Sequence, residues 1–336
     1  MDGISNADHI ESQQTNPPQE GRVVSGFWWR ILAFIIDGVL LGVVGTVIGY
    51  FLFDILARSG GWGRLIGFCL VLPYFCILNS AIGKGQTIGK RITKIEVVSQ
   101  PGEHISVNRS LIRYVLLGLP FFLNGVIMPS SVATSPIGLA IALVVFGIGG
   151  AIIYLYLFNR RTRQSLHDLF VGTFVVKTSP KSHVRTPPVW KPHLIVVGIW
   201  FLIVLSALFI LPRLMQKGVF PELLALQQSI ESSGYVQAAT VSVGKNWTSS
   251  EGAKMERTYL ASMAFWKNQP DDLEAASKKI AAIILKDYPD IMTKDILSVT
   301  VSYGYDIGFA SMGEHQTFQH TPQEWKNACE ASNIPI

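Results

Sequence analysis

Long apolar runs separated by short polar segments dominate the first two thirds of the chain. A helix that crosses a bilayer needs about 20 mostly apolar residues. Five stretches approach this length and predict membrane-spanning helices: 27–53, 65–82, 111–128, 137–158 and 194–211. The third is short and is interrupted by Pro120 and Asn124. A re-entrant or interfacial helix is therefore the alternative for that stretch.

The polar segments divide the rest of the chain. Residues 1–26 are polar and acidic, with Pro17 and Pro18, which predicts a disordered cytoplasmic tail. Residues 27–178 then form a membrane domain, and 179–193 a cytoplasmic linker. The fifth helix occupies 194–212. Residues 213–336 are long enough for a separate domain.

Helical and strand periods alternate along this last segment. Apolar residues recur at helical spacing over 219–233 and 270–287, and a capping-box pattern begins another helix at Thr321. Strands are predicted at 235–244, 257–266 and 296–305. The order αββαβα predicts an α+β domain with an antiparallel sheet. His315 and His320 are expected to be exposed loop residues, and Cys329 a buried apolar one.

Composition agrees with a membrane protein. Apolar residues make up 49% of the chain and charged residues only 15%, whereas a soluble domain carries about 25% charge. The net charge is +5, yet residues 213–336 hold 11 basic against 14 acidic residues. The positive excess therefore lies beside the apolar runs, which argues against nucleic-acid binding. Three cysteines exclude a disulfide scaffold.

The basic residues also predict orientation. They concentrate in the segments 83–110 and 159–193, which are expected on the cytoplasmic side, facing anionic headgroups. With five crossings, the N-terminus is cytoplasmic and residues 213–336 are exported. If 111–128 did not cross, the cluster 160–163 would be outside, so the charge distribution favours a true third span.

A small β-ribbon is predicted between the basic segments. Residues 92–98 alternate as a strand, 104–107 could return beside them, and 174–177 could add a third strand. The predicted fold class is an all-α membrane bundle of about five transmembrane helices with this cytoplasmic ribbon, joined to a C-terminal α+β extracytoplasmic domain.

Three charged residues stand out beside or within the apolar runs. Asp37 lies ten residues into the first span, where an unpaired acid costs about 2.5–3.5 kcal/mol. Arg30 lies too far along the same helix to pair with it, so each needs another segment. Asp168 is the predicted partner of Arg30. The predicted partner of Asp37 is a basic group such as Arg113 or Arg163, and His167 is a further candidate member of this polar set.

Motifs for catalysis, metals or cofactors are weak. The segment 83–91 superficially resembles a phosphate-binding loop, but Lys84 stands where such a loop needs glycine. His104 and His167 lack metal-ligand spacing and are expected at the surface. The sequence therefore predicts no catalytic site, metal or cofactor, and no enzyme.

Several motifs together resemble the RDD family of bacterial membrane proteins. They are Arg30 and Asp37 in the first span, the segments 85–91 and 95–98, and Leu166-His167-Asp168 followed by 172–176. The resemblance covers residues 23–178 and implies a bacterial cytoplasmic (inner) membrane. It also implies a transport-related role, in cation or proton movement or as an accessory to a transporter.

Two interpretations of function stay open. In the first, Asp37 binds a cation or proton while Arg30 and Asp168 gate the inner face, and oligomerisation would be expected. In the second, the same three residues form a structural lock, and the helices present the exported domain to an envelope partner or a small ligand.

Overall fold

The computed structural model describes residues 21–179, 183–214, 216–250 and 253–336. Most of the predicted disordered tail, residues 1–20, lies outside this part of the chain, as do residues 180–182 of the predicted linker.

From Phe27 to Leu214 the described chain is mostly helical, with one pair of strands. Its long helices are α1 (Phe27–Phe51), α3 (Gly63–Leu78) and α5 (Val107–Leu123), and the short helices α2 (Phe53–Arg58), α4 (Ile88–Ile92) and α6 (Ser130–Ala133) lie between or after them. The helices α7 (Pro136–Ala142) and α8 (Gly149–Phe158) are joined by a π-helical segment, Leu143–Ile148. The short α9 (Leu166–Val171) and the long α10 (Lys191–Leu214) complete the set.

Four helical segments of the described chain are long and apolar enough to cross a membrane. They are Phe27–Phe51, Gly60–Leu78, Pro136–Phe158 and Lys191–Leu214. The predicted third span is not among them, because α5 has only 17 residues and ends before Asn124. The predicted count of five spans is therefore not confirmed, although the other four predicted stretches each coincide with one of these segments.

The α5 helix nevertheless extends through the bundle from one end to the other. Near its start, Arg113 contacts the α9 residue Asp168. In its middle, the ring of Tyr114 stacks between those of Phe68 and Phe75 of α3. Near its end, Phe122 contacts Phe309 of the C-terminal domain.

A two-stranded antiparallel sheet lies at the α9 end of the bundle. Strand β1 (Ile95–Ser99) pairs with β2 (Thr173–Lys177), and Val24 forms an isolated bridge to Val176. Two of the three predicted strands are thus present. The third, 104–107, is not a strand, because Ser106 there caps the start of α5 instead. Burial of both strands holds the ribbon against the helices.

The C-terminal segment folds as an α+β domain. It contains α11 (Phe220–Ser232), β3 (Val236–Ser250), β4 (Ala253–Trp266), α12 (Leu273–Asp287), β5 (Ile296–Asp306), β6 (Ser311–His320) and α13 (Pro322–Ala331). The three helices pack on one face of a sheet with strand order β3-β4-β5-β6. Cys329 is buried in this core, as expected.

The sheet differs from the prediction in two ways. It has four strands, and the central pair β4–β5 is parallel because α12 connects these strands as a crossover. Strand β6 escaped prediction because its side chains are almost all exposed and polar, so they show no apolar alternation. His315 and His320 are exposed as expected, but they lie on this strand rather than in a loop.

Candidate functional site

Four charged or titratable side chains meet at the end of the bundle that carries the ribbon. We call Arg30, Arg113, His167 and Asp168 the Asp168 cluster. Arg113 approaches Oδ1 of Asp168 with both Nε (3.0 Å) and Nη2 (2.8 Å). Nη1 of Arg30 lies 3.7 Å from Oδ2. The predicted partnership of Arg30 and Asp168 is thus present, and Arg113 is a second partner of the same carboxylate.

The carboxylate of Asp168 is only 1% exposed. Burial alone would raise the pKa of Asp168, but the positive groups around it, Arg113 foremost, outweigh burial and hold that pKa below its ordinary value. The hydroxyl of Thr173 donates to Oδ1 at 3.0 Å, and the backbone N–H of Ser165 donates to Oδ2 at 3.4 Å. Asp168 therefore stays ionised and serves as the shared counter-ion of two buried guanidinium groups.

His167 is buried, so the expectation of a surface histidine was wrong. Its Nε2 lies 3.3 Å from Nη2 of Arg113. The same Nε2 lies 3.5 Å from Oδ2 of Asp168, so this side of the ring faces both a donor and an acceptor. Burial lowers the pKa of His167 to about 3, against the opposing effect of Asp168. The histidine is a neutral member of the cluster.

Arg30 connects the first helix to the loop before α9 and to the ribbon. It donates to the carbonyl oxygen of Arg163 and, from Nη2, to that of Val175 at 3.1 Å. Arg163 thus enters the site through its backbone, not through its charge. Since Arg30 lies in α1 and Val175 in β2, these bonds hold three distant parts of the sequence together.

Asp37 has a different environment. Its Oδ1 accepts hydrogen bonds from the hydroxyl of Tyr74 (2.6 Å) and the backbone N–H of Gly89 (2.7 Å). Its Oδ2 accepts one from the hydroxyl of Thr87 at 2.6 Å. The predicted pairing of Asp37 with Arg113 or Arg163 is therefore wrong: neutral donors satisfy this carboxylate, and Arg113 is engaged by Asp168.

The short helix α4 reaches Asp37 because Gly89 permits close approach to α1. A Cβ added at Gly89 would lie 2.1 Å from the carbonyl oxygen of Ala33 and 3.0 Å from Cγ of Asp37. Thr87 caps α4 by accepting from the N–H of Lys90, and its hydroxyl donates to Asp37. A carboxylate beside the first N–H groups of a helix is also favourably placed for the helix dipole.

Lys90 of α4 is close enough to both carboxylates for their charges to act on it. Its Nζ donates to Oδ1 of Asn79 at 2.7 Å. Burial lowers the pKa of Lys90 to about 7; Arg113 lowers it further, while Asp37 and Asp168 act in the opposite direction. This amine is therefore close to its titration midpoint at neutral pH.

Sequence reasoning missed Tyr74, Asn79 and Lys90 as members of the site. Thr87 and Gly89 fall in the segment 85–91 that was singled out as a motif, although their contact with Asp37 was not foreseen. Tyr74 and Asn79 carry no signal of their own, because a single tyrosine or asparagine near the end of an apolar run is common in membrane helices.

A cavity of about 350 Å³ opens beside Arg30, with Asn159, Arg160 and Arg163 among its lining residues. Asp37 does not line it. Over the described residues, no group of three or more His, Cys, Asp and Glu side chains is placed to hold a metal ion. The geometry is that of an interlocked polar core.

A second region of interest lies at the opposite end of the bundle. The β5–β6 turn (residues 306–310) packs between α1, α3 and α5. Ile307 is fully buried, and a Cβ added at Gly67 of α3 would lie 1.8 Å from its carbonyl oxygen. A Cβ at Gly45 of α1 would lie 2.5 Å from the ring of Phe309. The helices therefore have glycines where the turn touches them.

Polar contacts also join the C-terminal domain to the helical bundle near this turn. Asp306 accepts from Nε (2.9 Å) and Nη2 (2.7 Å) of Arg64, a two-point ion pair between β5 and α3. Glu231 of α11 accepts from the backbone N–H of Ser130 at 3.1 and 3.0 Å and from its hydroxyl at 2.5 Å. These two contacts add to the packing of the turn in holding the C-terminal domain against the bundle.

Two curated proteins are similar to part of the chain. The chain is similar to the uncharacterized protein YckC of Bacillus subtilis (strain 168), at 27% identity over 156 residues, which is 46% of this chain and 86% of that protein. It is also similar to the uncharacterized protein YxaI of the same strain, at 27% identity over 124 residues, or 30% of this chain and 82% of that protein. No solved structure matches the chain.

The family comparison covers the part of the chain that contains both carboxylate sites. Residues 24–172 match the RDD family, in agreement with the resemblance of 23–178 found in the sequence. The match ends before α10 and the C-terminal domain, which therefore lie outside it. The chain is therefore similar to the RDD family over residues 24–172, and it carries a further helix and an α+β domain beyond this match.

Proposed function

We propose that this protein is a membrane-anchored binding protein, in which the RDD region holds the α+β domain against the outer surface of the membrane. The observation that carries the proposal is the packing of the β5–β6 turn into α1, α3 and α5. A domain that was joined to the membrane only through α10 would not require these contacts with the other helices. Catalysis is not part of the proposal.

The two carboxylate sites support this function over transport. Asp168 is held by two arginines, and Asp37 by three neutral donors. A carboxylate that carries an ion must exchange its partners during each cycle. Here the partners come from α1, α3, α4, α5 and α9, so releasing them would loosen the bundle itself. Both sites therefore act as locks between helices in this proposal.

The proposal places the ribbon in the cytoplasm and the α+β domain outside. It includes five crossings, because α5 contacts the ribbon end at Arg113 and the domain end at Phe122. The basic residues near the ribbon support this orientation. In intact bacterial cells, an impermeant maleimide is expected to label Lys217→Cys but not Arg161→Cys; the reverse pattern would contradict it.

The proposal also includes the partners of the protein. The bilayer surrounds the helices, anionic headgroups contact the basic loops, and a second copy of the chain or an envelope protein contacts the outer domain. The proposal places the protein in the bacterial cytoplasmic membrane, and the match to the RDD family and the apolar helices support a membrane location.

A second candidate function is cation or proton movement. The specific observation in its favour is Lys90, a buried amine whose pKa is lowered to about 7 and which donates to Asn79 within the same polar region, so that it can gain or lose a proton near neutral pH. In this function Arg30 and Asp168 would gate the inner face.

A flux measurement distinguishes the binding function from the transport function. The full-length protein and its Asp37→Asn variant are reconstituted in proteoliposomes with a pH gradient and either sodium or potassium. We expect no flux above that of empty liposomes. A flux that is present in the wild type and lost in Asp37→Asn, with the variant still folded, would contradict the binding proposal and support transport.

A further inference from the structure

A large cleft separates the sheet from the outer ends of the membrane helices. Its volume is about 1180 Å³, above the range of about 300–1,000 Å³ that is usual for small-molecule pockets. One wall is the face of the sheet opposite α11, α12 and α13, including Phe265, Ser302 and Gly304. The other wall comes from the helix ends and the segment 123–132.

The bundle side of the cleft is apolar. Leu65 of α3, Leu123 of α5 and the α7 residues Ile137 and Ile141 line it, and each belongs to a helix of the membrane region. Trp62 at its edge is more than half exposed, as tryptophans at a bilayer interface commonly are. The apolar wall is therefore continuous with the surface that faces lipid tails.

The rim of the cleft is cationic. Arg58, Arg64 and Lys267 line it, against the single carboxylate Asp306. Arg64 is paired with Asp306. In the described part of the chain, neither Arg58 nor Lys267 forms an ion pair. Two positive charges thus remain available above an apolar wall.

We propose that this cleft binds a phospholipid with an anionic headgroup, taken from the membrane in which the helices are embedded. The acyl chains lie along Leu123, Ile137 and Ile141, and the phosphate is bound by Arg58 and Lys267. Charge complementarity selects the headgroup, and contact with the bilayer provides the route of entry. The inference rests on the proposed function, because the cleft exists only where the domain is held against the bundle.

The small side chains of the sheet wall support this occupant. Ser302, Gly304 and Gly313 stand on the face that lines the cleft, and Gly304 opposes Gly313 across β5 and β6. Large apolar residues on that face would fill the space, as they do on the helix-covered face. The sheet is therefore shaped to leave a hollow beside the membrane.

The test uses full-length protein in phosphatidylcholine nanodiscs that contain either a photoreactive phosphatidylglycerol or a photoreactive phosphatidylcholine. After illumination, mass spectrometry maps the labelled peptides. We expect phosphatidylglycerol to label peptides within 123–141 and 302–315 more strongly than phosphatidylcholine does. Arg58→Gln and Lys267→Gln should each reduce this preference by about fivefold, and Ser302→Trp should abolish labelling by filling the cleft.

Matched controls are Arg213→Gln and Lys217→Gln, which remove the same charge near the outer end of α10 but do not line the cleft. Equal labelling by the two lipids, or equal losses in the control variants, would overturn the inference. Hydrogen exchange of the β5–β6 turn is measured on the same samples. A slow-exchanging turn with unselective labelling rejects only the lipid site, whereas a fast-exchanging turn in the wild type rejects the docked domain as well.

Discussion

At the scale of single residues, one carboxylate is shared by two buried arginines and compensates part of their charge. Asp168 contacts Arg113 at 2.8 Å and lies 3.7 Å from Arg30. Removing one member of a buried ionic group leaves uncompensated charge, which costs about 3–5 kcal/mol. The sequence allowed the pairing of Arg30 with Asp168 to be predicted. The sequence did not reveal that Arg113 pairs with Asp168 and not with Asp37, because this depends on which face of α5 packs against α9.

Asp168→Asn is therefore expected to lower the free energy of unfolding by about 3–5 kcal/mol. The measurement is chemical unfolding of the detergent-solubilised protein. Asp271→Asn changes an exposed carboxylate and should stay within about 0.5 kcal/mol of the wild type. Similar small effects for both variants would show that Asp168 does not balance the arginines.

His167 gives the cluster a pH dependence of known sign. Its folded pKa is about 3, below the ordinary value of 6.5. Between these values the unfolded chain binds a proton that the folded chain does not, so stability falls as pH decreases from about 6.5 toward 3. The slope contributed by one such proton reaches about 1.4 kcal/mol per pH unit.

His167→Gln should flatten this part of the stability profile, because glutamine does not titrate yet can still accept from Arg113. The profile is measured by thermal unfolding across that pH range. His320→Gln, at an exposed position, is the matched control and should leave the slope unchanged. An unaltered slope in His167→Gln would mean that the buried histidine is not neutral in the folded state.

At the scale of elements, periodicity predicted the long helices and three strands of the C-terminal sheet. It failed where backbone contacts decide the structure. Strand β6 is held by pairing with β5, although its side chains are exposed. The short α4 exists because Asp37 and Thr87 stabilise its first turn. Neither element has an apolar pattern from which it could be recognised.

The approach of α4 to α1 gives a test at this scale. Gly89→Ala is expected to separate the two helices, because the new methyl group would lie 2.1 Å from the carbonyl oxygen of Ala33. Amide hydrogen exchange in residues 88–92 should accelerate. Gly38→Ala, whose methyl group would meet nothing within 4 Å, should leave exchange unchanged. Equal exchange in both variants would contradict the contact.

At the scale of the whole molecule, the chain is organised around two junctions at opposite ends of one bundle. The Asp168 cluster and Asp37 join the helices to the ribbon, and the β5–β6 turn joins them to the α+β domain. Composition and apolar runs were sufficient to predict a membrane region followed by a separate domain. The docking of that domain could not be predicted, because the contacts of Arg64 with Asp306 and of Gly67 with Ile307 join residues more than two hundred positions apart.

The most direct test of the account is hydrogen exchange of the β5–β6 turn in nanodiscs, comparing the wild type with Gly67→Ala and Gly38→Ala. We expect slow exchange at Ile307 in the wild type and in Gly38→Ala, because the N–H of Ile307 donates to the carbonyl oxygen of Ala310 within the buried turn. We expect fast exchange in Gly67→Ala, where the new methyl group displaces the turn. Fast exchange at Ile307 in the wild type would contradict a domain held against the membrane helices.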